Sequence, residues 1–297
     1  MDNLTIILNP HSGRGSEREV DALRSAFAAV GTTTEIQVVE AAHIQDVLRG
    51  VASAHARFVG VAGGDGTLSS AASALAGTET ALLPIPLGTM NHFAQRYGVP
   101  TVEAAVHAWQ RRHHHMVPVG FMNDVAFINN ASCGFYPHMV RHRDRMERWL
   151  PRAVANWTAG MMVLAKLPMM QIELASGDKH RRLRTSALWV GIGKDSLRLP
   201  KPGDVVREGE VLEIITPTSQ RRVQIVALMT RTLFKLKRGA ETPEDKALVV
   251  LHAEHFTLDS PHRIDVGIDG EPVRVRPPVH FHYRRDGLKV LCLIAPS

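Results

Sequence analysis

Three short stretches put glycine, asparagine, hydroxyl groups and one carboxylate where apolar runs end. They are "NPHSGRG" from Asn9 to Gly15, "AGGDGT" from Ala62 to Thr67 and "PLGTMN" from Pro86 to Asn91. Loops without side-chain bulk bring backbone N–H groups against an anion, and phosphate oxygens suit such loops well. In the first stretch Asn9 can brace the turn, Pro10 fixes one φ, Gly13 and Gly15 let the backbone approach an anion, and Ser12 and Arg14 add donors. In the second, Gly63, Gly64 and Gly66 surround Asp65 and lead to Thr67. A carboxylate beside phosphates repels them unless it holds a metal or takes a proton, and a mere structural turn is the remaining reading. In the third, Gly88 permits the turn while Thr89 and Asn91 offer polar groups at a helix start, where capping alone would also explain them. No Lys-Ser/Thr pair follows the first glycines, so this is not a Walker A loop.

The elements that must hold these loops alternate in type. "LTIIL" reads as a strand, and Val20, Leu23, Phe27 and Val30 recur at helical spacing behind it. "TEIQVVE" predicts a second strand, residues 43–54 a helix, and "RFVGVA" a third strand that runs into the aspartate loop. Residues 67–75 predict a helix, "TALLPI" a fourth strand, and residues 102–109 another helix. Strands alternating with helices predict a mostly parallel sheet, whose ligands sit at the carboxyl ends of the strands, where all three loops fall. After "RRHHHM" the rhythm turns to short strands such as "VAFINNAS", "RTSALWVGI", "LVVLHAEHFTL" and "PPVHFHY", with "SGDKH" and "RRDG" as turns. This predicts a division at residues 1–115 and 116–297, the second part a β-sandwich, with helical interruptions at 138–167 and 224–237. Periodicity leaves open whether the last strand, "LKVLCLIA", returns to the first part.

Composition excludes several classes. At 44% apolar and 22% charged residues the 297-residue chain is neither disordered nor collagen-like. Two cysteines, Cys133 and Cys292, both in apolar surroundings, argue against a disulfide framework or a structural zinc site. "MDNLTIILNP" lacks the basic flank and long apolar run of a secretory signal, and residues 153–170 are too interrupted for a spanning helix, so a cytoplasmic setting is expected. Residues 1–108 carry six basic and ten acidic side chains, against 29 and 19 in the remainder. That basic remainder suits anionic lipid, polyphosphate or nucleic acid; nucleic acid ranks last because it leaves the three glycine loops unexplained. The tract His113–His115 is expected to be a solvated linker, because consecutive strand residues face opposite ways and cannot share one ion.

In this order and spacing the three loops resemble the diacylglycerol kinase catalytic family of lipid kinases. "FINNASCGFYPHMVRHRD" and the Asp-Gly-Glu of "IDVGIDGEP" resemble further motifs of that family, so the likeness extends over nearly the whole chain. His92 stands where many members have aspartate, and is also a familiar variant in bacterial members. The resemblance implies a Rossmann-like first domain, a β-sandwich second domain, ATP in the cleft, Mg2+, and transfer of the γ-phosphoryl group to a lipid hydroxyl, diacylglycerol or a related lipid. It makes Asp65 the first choice for proton acceptor, with metal binding as the second role, and Glu271 a carboxylate reaching the cleft from the second domain to assist magnesium or the acceptor. Glu208, Glu210 and Glu213 are further candidates for the metal. Asp65→Asn is then expected to abolish turnover at little cost in stability. Arg141, Arg143, Arg145 and Arg148, beside Trp149 and Leu150, become the expected contact with an anionic membrane surface. A homodimer is left open. The competing readings are an NAD kinase-like enzyme, which also carries a GGDG turn, and a non-catalytic nucleotide or lipid-binding regulator.

Overall fold

The structure, a computed structural model, describes residues 2–10, 17–134, 170–176, 179–185, 187–193, 212–217, 248–260 and 263–294. Ser12 to Gly15, Glu208, Glu210, the segment from Arg141 to Leu150 and both expected helical interruptions lie outside the described residues.

Four strands, β1 (Asp2–Leu8), β2 (Thr32–Val38), β3 (Phe58–Gly63) and β4 (Ala81–Pro86), run parallel in the order β2-β1-β3-β4. Leu4, Ile6, Ile7 and Leu8 are all buried, the continuous apolar run expected of a parallel strand covered on both faces. The covering helices are α1 (Glu17–Ala28), α2 (Ile44–Ser53), α3 (Asp65–Leu75), α4 (His92–Arg96) and α5 (Val102–Arg111). Helix α1 buries Leu23 and Phe27 against the sheet. Helix α5 starts where the Thr101 side chain accepts from the Ala104 N–H, and ends at Arg112 in a left-handed conformation.

The parallel sheet continues beyond β4 through β16 (Val279–Leu291), β5 (His114–Met122) and β6 (Val125–Phe127), and β13 (His255–Leu258) also pairs with β16. A second, antiparallel sheet has the order β12 (Leu248–Ala253), β11 (Leu212–Pro217), β10 (Ala187–Ile192), β7 (Asn130–Gly134), β14 (Ile264–Ile268), β15 (Glu271–Val275). A separate hairpin joins β8 (Met170–Ser176) to β9 (Lys179–Thr185). The result is a two-domain α/β architecture, with one mixed sheet and one antiparallel sheet.

Several expected boundaries move. The "RRDG" stretch is not a hairpin turn: β16 is one strand of 13 residues, and Arg285 to Gly287 bulge out opposite Pro118 of β5. Pro118 has no N–H to give to the ladder, so the strand bulges there and resumes at Leu288. The Gly287 carbonyl accepts the Gly77 N–H at 2.9 Å, tying the bulge to the end of α3. The histidine tract is no linker either, since His114 and His115 open β5 opposite Leu291 and Val290. "VAFINNAS" splits into β6 in one sheet and β7 in the other, and "LVVLHAEHFTL" splits likewise into β12 and β13 around Glu254.

Candidate active site

The glycine loops meet each other before they meet anything else. Gly63 ends β3 and accepts the Leu87 N–H at 3.0 Å, which sets the two loops side by side. A Cβ on Gly88 would stand 2.5 Å from the Gly64 Cα and 2.8 Å from Asn91 Oδ1, so the backbones touch at a distance only glycine allows. A Cβ on Gly63 would strike the Thr67 side chain at 2.5 Å. Thr67 is held there by a buried hydrogen bond, Asn9 Nδ2 donating to its Oγ1 at 2.9 Å. Asn9 also donates its backbone N–H to the Ala62 carbonyl, so the end of β1 is pinned both to the end of β3 and, through Thr67, to the start of α3. Pro10 is half-buried beside it.

Asn91 closes the third loop on itself. Its Oδ1 accepts the Gly88 N–H at 2.9 Å and its Nδ2 donates to the Gly88 carbonyl at 2.7 Å, with the backbone at φ 51°. Asparagine tolerates that left-handed conformation better than most residues. Thr89 and Met90 are left exposed at the tip.

Asp65 is the first residue of α3 and is half-buried. Its Oδ2 accepts the His92 N–H and its Oδ1 the Phe93 N–H, both at 3.0 Å, so the carboxylate caps α4 from the neighbouring loop. At position 92 the contact is made by backbone, which histidine supplies as well as any other non-proline residue. The expectation that Asp65 sits in a turn where substitution costs little stability is therefore corrected: the side chain holds two loops in register. Each carboxylate oxygen keeps a second lone pair for a ligand.

Glu271 reaches this place from the other sheet. It is the exposed first residue of β15, and its Oε1 stands 3.9 Å from where a Cβ on Gly66 would be. Gly66 is the glycine of the aspartate loop with the most room, that Glu271 oxygen being the nearest atom a Cβ would meet. We therefore expect opposite outcomes at two glycines. Gly88→Ala overpacks the loop contact and lowers stability by about 1–3 kcal/mol. Gly66→Ala raises stability by up to about 1 kcal/mol through helix propensity, yet lowers turnover by putting a methyl group against the Glu271 carboxylate. Thermal melts beside turnover measurements on both variants check this, and a destabilised Gly66→Ala would contradict it.

Glu213 is buried in β11, with Oε1 3.7 Å from His252 Nε2 on the adjoining strand. Among the described residues no three histidine, cysteine or acidic side chains group in a metal-binding arrangement. A cavity of 470 Å³ opens at the amino ends of β3 and β4, beside Arg57, Glu79, His114 and Lys289, and so at the opposite end of the sheet from the glycine loops.

Sequence reasoning missed the work of Asp269. Asp269 and Gly270 form the two-residue turn between β14 and β15, both with positive φ, as an Asp-Gly hairpin turn requires. The Asp269 carboxylate leaves the turn and accepts three backbone N–H groups, from Ile128 at 2.9 Å, Asn129 at 2.8 Å and Asn130 at 2.9 Å. It also bonds the Ser69 side chain of α3. Burial pushes its pKa above the usual carboxylate range, while the bonds from Ser69 and the backbone N–H groups pull it down. The Asp-Gly pair signalled the turn; nothing local signalled the carboxylate's partners, about 140 residues away in sequence.

Comparison with known proteins bears on this arrangement. The family model for the diacylglycerol kinase catalytic domain matches residues 3–122. An uncharacterized protein of Synechocystis sp. is 24% identical over 289 residues; the match takes in 92% of this chain and 66% of that protein, just under two thirds of its length. A Pseudomonas aeruginosa protein named "Probable lipid kinase YegS-like" is 27% identical over 284 residues, covering 93% of this chain and 90% of that one. The crystal structure of a diacylglycerol kinase from Bacillus anthracis str. Sterne aligns with a TM-score of 0.70 at 16% identity, over 98% of this chain and 97% of that chain. At that identity the structural likeness speaks for the fold.

Proposed function

We propose that the chain, whose residues 3–122 match the family model for the diacylglycerol kinase catalytic domain, is a phosphotransferase of that family and an ATP-dependent lipid kinase acting on a lipid hydroxyl, with diacylglycerol or a related lipid as acceptor. The observation that carries this reading is the approach of Glu271, from the antiparallel sheet, to Gly66 in the glycine loop of the parallel sheet. A cleft with one carboxylate from each side suits phosphoryl transfer, which asks mainly for alignment, charge compensation and a destination for the acceptor proton.

The residues present fit the phosphates of ATP. Gly66 lies in the first turn of α3, an 11-residue helix whose positive end and N–H groups suit an anion, and it leaves the backbone there without side-chain bulk. The donor set also fits Mg2+ as it is commonly held, by one or two carboxylates with phosphate oxygens and water completing the shell. Asp65, whose two carboxylate oxygens each keep a lone pair, is the residue that would hold it, and bound there it would supply neutralisation of phosphate charge. Glu208 and Glu210 stay as further candidates, and Glu213 is already engaged with His252.

Within this reading the roles of the two carboxylates divide. Both Asp65 oxygens accept backbone N–H groups, so its first task is to set the nucleotide loops; Glu271, exposed and facing the cleft, orients the acceptor hydroxyl and takes its proton. The acceptor oxygen forms the new P–O bond as the bond from the γ-phosphorus to the β–γ bridging oxygen breaks, leaving ADP. The nucleotide part is the parallel sheet with its loops, and the acceptor part is the antiparallel sheet. Among the described residues no helix is long and apolar enough to cross a membrane. Our reading places the work at an anionic membrane surface on the cytoplasmic side, reached peripherally, with Arg141, Arg143, Arg145 and Arg148 as the basic contact.

The test is an ATP phosphotransfer screen with Mg2+ against diacylglycerol, sphingoid bases, phosphatidylglycerol, polyprenols and NAD. We expect ADP release that depends on a lipid acceptor and a phosphorylated lipid product. Phosphorylation of NAD alone would move the chain to the NAD kinase reading. ATP binding with no acceptor-dependent ADP release would make it a nucleotide-binding regulator.

A further inference from the structure

We propose that Asp269 is a positioning residue: its carboxylate locks the β14–β15 hairpin to α3 and to residues 128–130, and by doing so fixes Glu271 opposite Gly66. This inference deepens the kinase reading and rests on it for the part that concerns turnover.

The argument is one of geometry. Glu271 pairs with Ile268 across the two-residue turn, so wherever Asp269 is held, Glu271 is held one turn-width away. Asp269 is held by four bonds to two different places. The N–H groups of Ile128, Asn129 and Asn130 come from the point where the chain leaves the parallel sheet at β6 and enters the antiparallel sheet at β7. The Ser69 hydroxyl comes from α3, one turn along from the residues of the aspartate loop. The Asp269 N–H donates in turn to the Asn130 carbonyl at 2.8 Å, closing the contact from the backbone side. A single carboxylate thus joins the helix that carries Asp65 and Gly66, the crossing between sheets, and the hairpin that carries Glu271. Ser73, one turn further along α3, fastens the same crossing, exchanging hydrogen bonds with the Ala126 N–H and carbonyl. The left-handed backbone at Asp269, φ 46°, is a conformation that asparagine also accepts. Turn formation alone would therefore be served by either residue, whereas only a carboxylate offers acceptors to all three N–H groups at once.

Asp269→Asn separates the two roles. It keeps the turn and one acceptor oxygen, and sets an amide N–H2 against one of the backbone N–H groups. We expect kcat to fall about 10²-fold, as misplacement of a catalytic group by around 1 Å does, with KM for ATP little changed. In the Glu271→Gln background the same change should have almost no further effect, because the residue acts through Glu271. Equal fold-losses in both backgrounds would overturn the proposal, since Asp269 would then act on its own or only through global stability.

A second measurement does not depend on activity. Cysteines placed at Gly66 and Glu271 are bridged with a short bis-methanethiosulfonate and the rate of bridging is followed. The native thiols compete little, since burial pushes Cys133 up to about 12 and Cys292 up to about 11. With Asp269 present the pair should bridge readily; with Asp269→Asn the rate should drop by about fivefold or more, as the hairpin gains local freedom. An unchanged rate would overturn the proposal even if no lipid acceptor is ever found, and a slowed rate in a protein without kinase activity would uphold the positioning while removing the kinase reading. If Asp269→Asn does not fold, Ser69→Ala removes only the hydroxyl bond and should slow bridging about twofold; no change there would overturn the role of α3 in the lock.

Discussion

Glu271→Gln is expected to lower kcat by about 10²–10⁴-fold, the usual contribution of a positioned general base, and to leave folding stability close to that of the parent. The side chain is exposed, so its amide isostere disturbs no packing. What is lost is the capacity to take a proton, which an amide does not have near neutral pH. KM for ATP should change little if, as proposed, the carboxylate serves the acceptor and not the nucleotide. Steady-state kinetics beside a thermal melt decide the matter. A variant with parental kcat would remove Glu271 from the chemistry, and a large fall in Tm would mean that the residue is structural.

Asp65→Asn should behave differently, losing stability and turnover together. Its carboxylate accepts the His92 and Phe93 N–H groups at 3.0 Å, and the amide of asparagine can accept only one of them while presenting its own N–H2 to the other. Hydrogen bonds to a charged group contribute about 1.5–3 kcal/mol, so a loss of roughly that size is expected. For a chain of this length it corresponds to a Tm lower by roughly 3–10 °C. Once the bond opens, the loop from Leu87 to Asn91 drifts from Gly64, and the nucleotide loops lose their register. We expect kcat to fall by about 10²-fold or more and the affinity for ATP to weaken as well. Intact Tm with abolished turnover would return Asp65 to a purely chemical role, and intact values of both would remove it from the site.

The contrast between these two carboxylates was not available from the chain alone. In sequence, Asp65 looks the freer of the two, an aspartate among glycines, and Glu271 looks like the residue after a turn. Folded, Asp65 is bonded through both oxygens, and Glu271 is the one that faces open space. The glycines changed meaning in the same way. Gly64 and Gly88 read as openings for phosphate, and their first service is to let two backbones touch, at a distance where a Cβ on Gly88 would be 2.5 Å from a neighbouring Cα. Among the described glycines of these loops, Gly66 is the one that a Cβ would leave uncrowded.

The sequence by itself determined the local elements and their order. Apolar runs at strand length, helical spacing behind them and glycine loops after β1, β3 and β4 mark β1 to β4, α1 to α3 and the loops between, because those signals depend on residues a few positions apart. It also put forward candidates for the chemistry, through the three glycine loops and the Asp-Gly-Glu stretch. Which strand pairs with which was decided by tertiary structure. Alternation every second residue declares a strand and stays silent about its neighbour, so "VAFINNAS" and "LVVLHAEHFTL" read as single strands although each serves two sheets. For the first of these the cause is a side chain 140 residues away: the Asp269 carboxylate takes the N–H groups of residues 128–130, and a backbone whose donors are taken cannot continue a ladder. The reverse happens at Arg285 to Gly287, where a turn-like stretch is carried through as a bulge because its partner strand holds Pro118 at that point. Backbone hydrogen bonds are satisfied by whatever donor or acceptor the fold brings near, and that neighbour is fixed only when the whole chain has closed.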